Sequence, residues 1–258
     1  MKRKRKYIAS CSGGKDSVAM VLWLIEHKYL LDLVLFVNLG AEFPALYAVI
    51  EQVKSICIKH GIEFREIRPG KDFFKQMLVN RVEKRDGDIQ FGYKWCGGAC
   101  RWGTALKLQT LDKFYREEFA DYDIVEYVGI AYDERERCEK NQTGRHIKSY
   151  PLVNKAYMKE SDCLAYCYER GIEWLQNGKR LYDFLERLSC WCCRNKNLKE
   201  LYNIYIYFPE IWQQLKNLQA QMPDYPFYKG EEDIESLEIR FMKKDLVKSS
   251  SYSLFDYA

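Results

Sequence analysis

Short apolar runs of strand length alternate with amphipathic stretches of helical length along the first half of the chain. Residues 7–11 form an apolar run, followed by a glycine-containing break and a helix-length stretch at 18–25. Residues 31–38 are almost continuously apolar, as in a parallel strand covered on both faces. The pattern then predicts a helix over 46–60 ending at Gly61, a strand over 63–68 stopped by Pro69 and Gly70, and a helix over 72–78. Residues 80–90 are polar and read as a mobile loop, 101–119 as a helix, and 123–130 as a fourth strand. A charged loop over 132–148, an extended piece over 150–153 and helices over 160–170 and 181–188 follow. A long helical stretch at 198–221 is interrupted near Pro209, and 234–242 fits a helix or a strand. The βαβαβα alternation predicts an α/β fold with a doubly wound, mostly parallel sheet. It carries a C-terminal helical, cysteine-containing extension. The expected domains are 1–155 (nucleotide-binding), 156–247 (helical, with metal-binding cysteines) and 248–258 (a flexible tail).

Composition narrows the class. With 258 residues, 47% of them hydrophobic and 15% aromatic, the chain can bury a proper core. Basic and acidic residues nearly balance, 41 against 37, so no global polyelectrolyte partner is implied. The run Lys2, Arg3, Lys4, Arg5, Lys6 reads as a solvated lead into the first strand, with a nucleic-acid contact as the alternative. No secretory leader and no bilayer-length apolar run are visible, which excludes a membrane partner. Ten cysteines without a leader point to a reducing cytoplasm and to metal or redox use.

The chemistry concentrates in Ser12, Gly13, Gly14, Lys15, Asp16 and Ser17, between the first strand and the first helix. Such a loop aims backbone N–H groups and the positive helix end at one point, which suits a phosphate or pyrophosphate. Both glycines would let the backbone approach the anion. Lys15 adds a cation, Ser12 and Ser17 add hydroxyls, and Asp16 would cap the helix or hold Mg²⁺ through water. The spacing is not that of a Walker A loop.

The string SGGKDS after a strand resembles the PP-loop of the ATP pyrophosphatase superfamily. Three further segments, in order, resemble its phosphoadenosine phosphosulfate (PAPS) reductase-like branch. They are Phe36-Val37-Asn38-Leu39-Gly40-Ala41-Glu42-Phe43-Pro44, Gly129-Ile130-Ala131-Tyr132-Asp133-Glu134-Arg135-Glu136-Arg137, and Tyr150-Pro151-Leu152-Val153 before the helix at Glu160. The resemblance covers roughly 6–215 and implies an adenine nucleotide alpha hydrolase-like fold. It implies that Ser12, Gly13, Gly14, Asp16 and Ser17 bind the phosphates, that Asn38 and Gly40 lie near the adenosine, and that Arg135 or Arg137 meets a substrate anion. The family's Asp-Thr is Asn38-Leu39 here, and its arginine after Gly-Ile is Ala131. Its reductases carry a C-terminal Glu-Cys-Gly nucleophile, whereas no cysteine follows Cys193 here, so sulfonucleotide reduction is not the expected activity.

Two cysteine groups stand about ninety residues apart: Cys96 and Cys100, then Cys190, Cys192 and Cys193. Cys96, Cys100, Cys190 and Cys193 have the form of a four-thiolate site for Zn²⁺ or a [4Fe–4S] cluster, with Cys192 a substitute or spare thiol. Four buried reduced cysteines are the plain alternative. Cys11, Cys57, Cys163 and Cys167 read as packing, and Cys138 as a loop thiol. Aromatic residues beside Lys179, Arg180, Arg187 and Arg194 suggest core packing or a base-stacking face.

The expected function is an enzyme that uses ATP and Mg²⁺ to adenylate an acceptor, releasing pyrophosphate, for sulfur or nitrogen transfer. Lys15, Asp16, Asp133, Glu134 and Arg135 are its candidate catalytic residues. The acceptor is a small molecule or a nucleic acid (tRNA or DNA), and a homo-oligomer is compatible with the sequence. The alternatives are a PAPS or adenylyl-sulfate reductase-like enzyme using an external thiol, and a non-catalytic adenine-nucleotide sensor.

Overall fold

The computed structural model describes residues 3–84, 86–96, 100–140 and 146–253. The chain makes two units. One comprises Met1–Gly70, Ala105–Asp183 and Arg187–Ser189; the other comprises Lys71–Thr104, Phe184–Glu186 and Cys190–Ala258.

The first unit is built on a five-stranded parallel sheet. Its strands are β1 (Lys4–Ser10), β2 (Leu33–Val37), β3 (Glu63–Ile67), β6 (Tyr122–Val128) and β7 (Ile147–Ser149), in the order β3-β2-β1-β6-β7. All the pairings are parallel, with Ile8 opposite Leu33 and Tyr7 opposite Val125. All five residues of β2 are buried, as expected for an apolar strand with both faces covered. Helix α1 (Lys15–Glu26) is buried along Val18–Leu24, and α2 (Pro44–Lys59) buries the stripe Leu46, Val49, Ile50, Val53 and Cys57. Tyr115 of α4 (Arg101–Glu118) joins Ile8, Leu33, Leu35 and Ile124 in one apolar cluster. The basic run is not merely a lead. Lys4, Arg5 and Lys6 already belong to β1, opposite Tyr122, Asp123 and Ile124.

Several elements differ from the sequence reading. The stretch 132–148 is no plain loop. It holds a 3-10 turn at Tyr132–Glu134, helix α5 (Glu136–Lys140) and the fifth sheet strand, β7; residues 141–145 lie outside the described residues. β7 is three residues long, too short for its alternation to register. The expected extended piece at 150–153 is α6 (Pro151–Asn154), with proline at the first helical position. Helix α7 (Glu160–Tyr168) is followed at Gly171 by a φ of +71°. The expected helix at 181–188 shrinks to a 3-10 turn, Leu181–Asp183. Before it stands a hairpin, β8 (Leu175–Gln176) and β9 (Lys179–Arg180), turned by Asn177 and Gly178, both at positive φ. This is the asparagine–glycine signal of a type I′ turn.

In the second unit, the polar stretch 80–90 forms an antiparallel hairpin, β4 (Arg81–Glu83) with β5 (Ile89–Phe91), rather than a loop. It follows α3 (Phe73–Leu78), capped by the Asp72 carboxylate, which accepts from the Lys75 amide at 2.8 Å. Helix α8 (Leu198–Tyr207) opens on an Asn197–Glu200 capping box, and Pro209 starts α9 (Pro209–Ala220). The ambiguous segment at 234 is helix α10 (Ile234–Ser253), which includes residues 248–253 of the expected tail. Residues 254–258 lie outside the described residues. Among the described residues, no helix is long and apolar enough to cross a membrane.

Candidate functional site

The loop after β1 is held by its own hydroxyls. Ser17 Oγ donates to the Gly14 carbonyl at 2.9 Å and accepts the Ser12 amide at 3.1 Å. Ser12 Oγ lies 3.1 Å from Ser17 Oγ. The two glycines have different tasks. Gly13 sits at φ +83°, and a Cβ there would lie 2.6 Å from Leu46 Cδ2. Gly14 is the helix N-cap at φ −80°, ψ 161°, a conformation any residue adopts. Its added Cβ would find no atom nearer than the Tyr182 hydroxyl, 3.6 Å away. Gly13→Ala is therefore expected to lower stability by about 1–2 kcal/mol, whereas Gly14→Ala should change it by less than about 0.5 kcal/mol. Chemical denaturation of the two variants checks this, and an equal loss in both would refute the assignment.

Asp16 does not cap α1, contrary to expectation: the N-cap Gly14 has no side-chain cap. Asp16 stands in the first turn with Oδ1 buried and without a hydrogen-bond partner. Burial raises its pKa from 3.8 to about 6; Lys15 opposes the rise, while Glu160 and Glu134 add to it. Lys15 is buried, and its ammonium reaches Glu160 Oε2 at 2.5 Å. Its amide donates to the Tyr182 hydroxyl at 2.9 Å.

Trp174 and Tyr182, which flank the β8–β9 hairpin, brace this loop. Trp174 is fully buried, and its Nε1 donates to the Gly13 carbonyl at 2.7 Å. The two rings pack edge to face at 4.9 Å. The hairpin sets their spacing, because the Leu181 amide returns to the Trp174 carbonyl at 2.8 Å.

A cleft of about 250 Å³ opens on the loop. Of the expected loop residues, Ser12, Gly14, Lys15, Asp16 and Ser17 line it, and Gly13 does not. Of the other expected catalytic residues, only Glu134 does so. Asp133 instead accepts the Glu160 amide at the start of α7, at 3.1 Å. Arg135 lies over the Tyr132 ring and donates to the Tyr132 carbonyl. Asn38 and Gly40, at the C-terminal end of β2, are not in the lining. Asn38 is buried, its Oδ1 accepts from the Gly40 amide and the Tyr47 hydroxyl, and its Nδ2 donates to Glu66. The cleft adds Arg137, Glu160, Tyr182 and Arg187. Glu134 pairs with Arg137 and, at 2.6 Å, with Arg187. Only the Asn-Gly dipeptide gave a sequence signal for Tyr182's place, through the hairpin before it.

In the second unit, Cys96, Cys100, Cys190, Cys192 and Cys193 all line one cavity of about 40 Å³. Its walls include Phe73, Trp95 and Trp102. Burial, with Cys190 and Cys193 nearby, pushes the Cys192 thiol well above its ordinary pKa. Among the described residues, no three Cys, His, Asp or Glu side chains stand in metal-holding geometry; residues 97–99, between the first two thiols, lie outside the described residues. Elsewhere, Cys11, Cys57, Cys163 and Cys167 are buried, and desolvation raises their pKa values.

The parallel doubly wound sheet, with β1 running through a glycine loop into a helix N-terminus, is the α/β arrangement the sequence led us to expect. Residues 6–125 match the family model of the phosphoadenosine phosphosulfate reductase domain. An uncharacterized protein of Methanocaldococcus jannaschii is 26% identical over 219 residues, covering 84% of this chain and 42% of that protein. The chain thus spans less than half the length of that relative. A crystal structure of PAPS reductase from Candida auris is similar at 14% identity and a TM-score of 0.39, over 65% of this chain and 73% of that one.

Proposed function

We propose that the chain binds an adenine nucleotide at the 12–17 loop and uses ATP to adenylate an acceptor for sulfur or nitrogen transfer. An acceptor oxygen attacks the α-phosphorus, an O–P bond forms, and the bond to the pyrophosphate oxygen breaks. The observation that carries this reading is the cleft over the α1 N-terminus. Lys15, Arg137 and Arg187 line it beside the loop, so the leaving pyrophosphate would meet both cations and helix dipole. Ser12 and Ser17 would bind phosphate oxygens, and Asn38 and Gly40 would hold the adenosine side.

Asp16 suits Mg²⁺, because a buried carboxylate oxygen without a donor is what a hydrated cation satisfies. Bound there, Mg²⁺ would neutralise charge on the phosphates. The five thiols around one cavity are a donor set of the kind a soft metal centre, Zn²⁺ or a [4Fe–4S] cluster, takes; Cys96, Cys100, Cys190 and Cys193 would hold it only after reorienting, since no three of the described side chains stand in metal-holding geometry. Such a centre would supply structural linkage or sulfur handling. The acceptor is a small molecule or a nucleic acid such as tRNA or DNA, the protein acts in the cytoplasm, and it is compatible with a homo-oligomer.

The match to the reductase domain favours a second reading, binding of a phosphosulfate nucleotide. One experiment separates the two. The protein is mixed with ATP and candidate acceptors, or with PAPS or adenylyl sulfate and a thiol. AMP with pyrophosphate is expected; thiol-dependent sulfite instead would overturn adenylation in favour of reduction. Tight ATP binding without turnover would mean a nucleotide sensor. For the metal, the Cys190→Ala, Cys193→Ala double variant is expected to lose bound zinc or iron and about 2–5 kcal/mol of stability. Unchanged metal content and melting would reject the site.

A further inference from the structure

We propose that Glu160 is an internal competitor for the anion site: its carboxylate occupies Lys15 and Arg187 until the pyrophosphate group of a ligand displaces it. This residue thereby sets the affinity threshold of the cleft. The inference rests on the reading of the cleft as a nucleotide site and deepens it.

Lys15 is 6% exposed, so its ammonium needs a counter-charge in every state of the protein. In this state the nearest counter-charge is Glu160, with Oε2 at 2.5 Å from Nζ; Asp16 Oδ1 stands farther off, at 4.0 Å. The other carboxylate oxygen, Oε1, lies 3.6 Å from an Arg187 nitrogen. One carboxylate therefore spans two cations, as two oxygens of a phosphate would. The same substitution recurs beside it. The Lys15 amide, directed to where an anion would sit, donates to the Tyr182 hydroxyl, and Glu134 holds Arg137 and Arg187. Among the described residues lining the cleft, all three cations are thus matched by side chains of the chain itself.

The two partners are not equally bound to their places. Lys15 projects from the first residue of a helix buried along most of its length, whereas the Glu160 side chain is 27% exposed. Glu160 is also the first residue of α7, so once released its carboxylate meets water and the positive end of its own helix. An arriving pyrophosphate keeps Lys15 paired and lets Glu160 solvate. Its affinity is then its intrinsic value reduced by the cost of breaking the internal pair.

Calorimetric titration of inorganic pyrophosphate at fixed ionic strength tests this on the wild type, Glu160→Gln and Glu160→Asp. Glu160→Gln is expected to bind roughly tenfold more tightly than the wild type, through loss of the competing charge. Glu160→Asp keeps the charge but is one methylene shorter, and should fall between them. It also decides the matter if the glutamine variant does not fold. Equal or weaker binding by the variants, with binding by the wild type, overturns the competitor and leaves the nucleotide site standing. No pyrophosphate or ATP binding by any of the three overturns both.

Discussion

Gly129→Ala is expected to lose about 1–3 kcal/mol of stability and most of the ligand affinity of the loop. Gly129 follows β6 directly, and a Cβ there would lie 2.7 Å from Ser17 Cα, 2.9 Å from Ser17 N and 3.0 Å from the Asp16 carbonyl. All three are backbone atoms of the first turn of α1, so no side-chain rotation relieves the clash. Either β6 or the helix N-terminus must move. A shift near 1 Å in a group that orients a reacting phosphate can cost on the order of a hundredfold in rate. Urea denaturation and pyrophosphate titration measure both effects. Wild-type values in the variant would mean that the β6–α1 approach is looser than its geometry.

Asp16→Asn is expected to make the ligand-free protein more stable at pH 8, by roughly 2 kcal/mol, while removing its response to Mg²⁺. Burial lifts the Asp16 pKa from 3.8 to about 6. Between those values the folded chain binds a proton that the unfolded chain has lost. The stability tied to the protonated form is therefore present at low pH and is lost as pH rises through 6. Asparagine removes that slope, so the two proteins should melt alike below about pH 4, diverge between about pH 4 and 6, and keep a constant difference above pH 6. Mg²⁺ with ATP should raise the wild-type midpoint at pH 8 and leave the variant unmoved. If Asp16 were chiefly an ion-pair partner of Lys15, 4.0 Å away, the variant would instead be less stable at pH 8.

The legible parts of the chain are those written in one stretch. The strand–loop–helix around Ser12–Ser17 was readable because its apolar run, glycines and helix follow each other directly. The buried β2 was readable because its apolar run is continuous. The short strands β4, β5 and β7 were not, since three residues carry no usable periodicity. The cleft was half legible. Lys15 and Asp16 come from the loop itself, but Glu160 and Tyr182 arrive from positions 145 and 167 residues along the chain. Nothing local marks a glutamate at a helix start as a lysine's partner. Asp133 and Arg135 were expected beside the cleft on motif position alone. The 3-10 turn after β6 places Asp133 on the α7 amide and Arg135 on Tyr132.

The second unit is not one continuous length of chain: Lys71–Thr104 belongs with Cys190–Ala258, while most of the first unit is threaded between them. During synthesis, the stretch bearing Cys96 and Cys100 leaves the ribosome many seconds before Cys190 does, at about 5–20 residues per second. It must wait, unassembled, while the parallel sheet can already close. A nascent chain stalled before residue 190 should therefore be protease-resistant in the sheet and cleavable across 71–104, and it should become resistant there only after the C-terminal helices emerge.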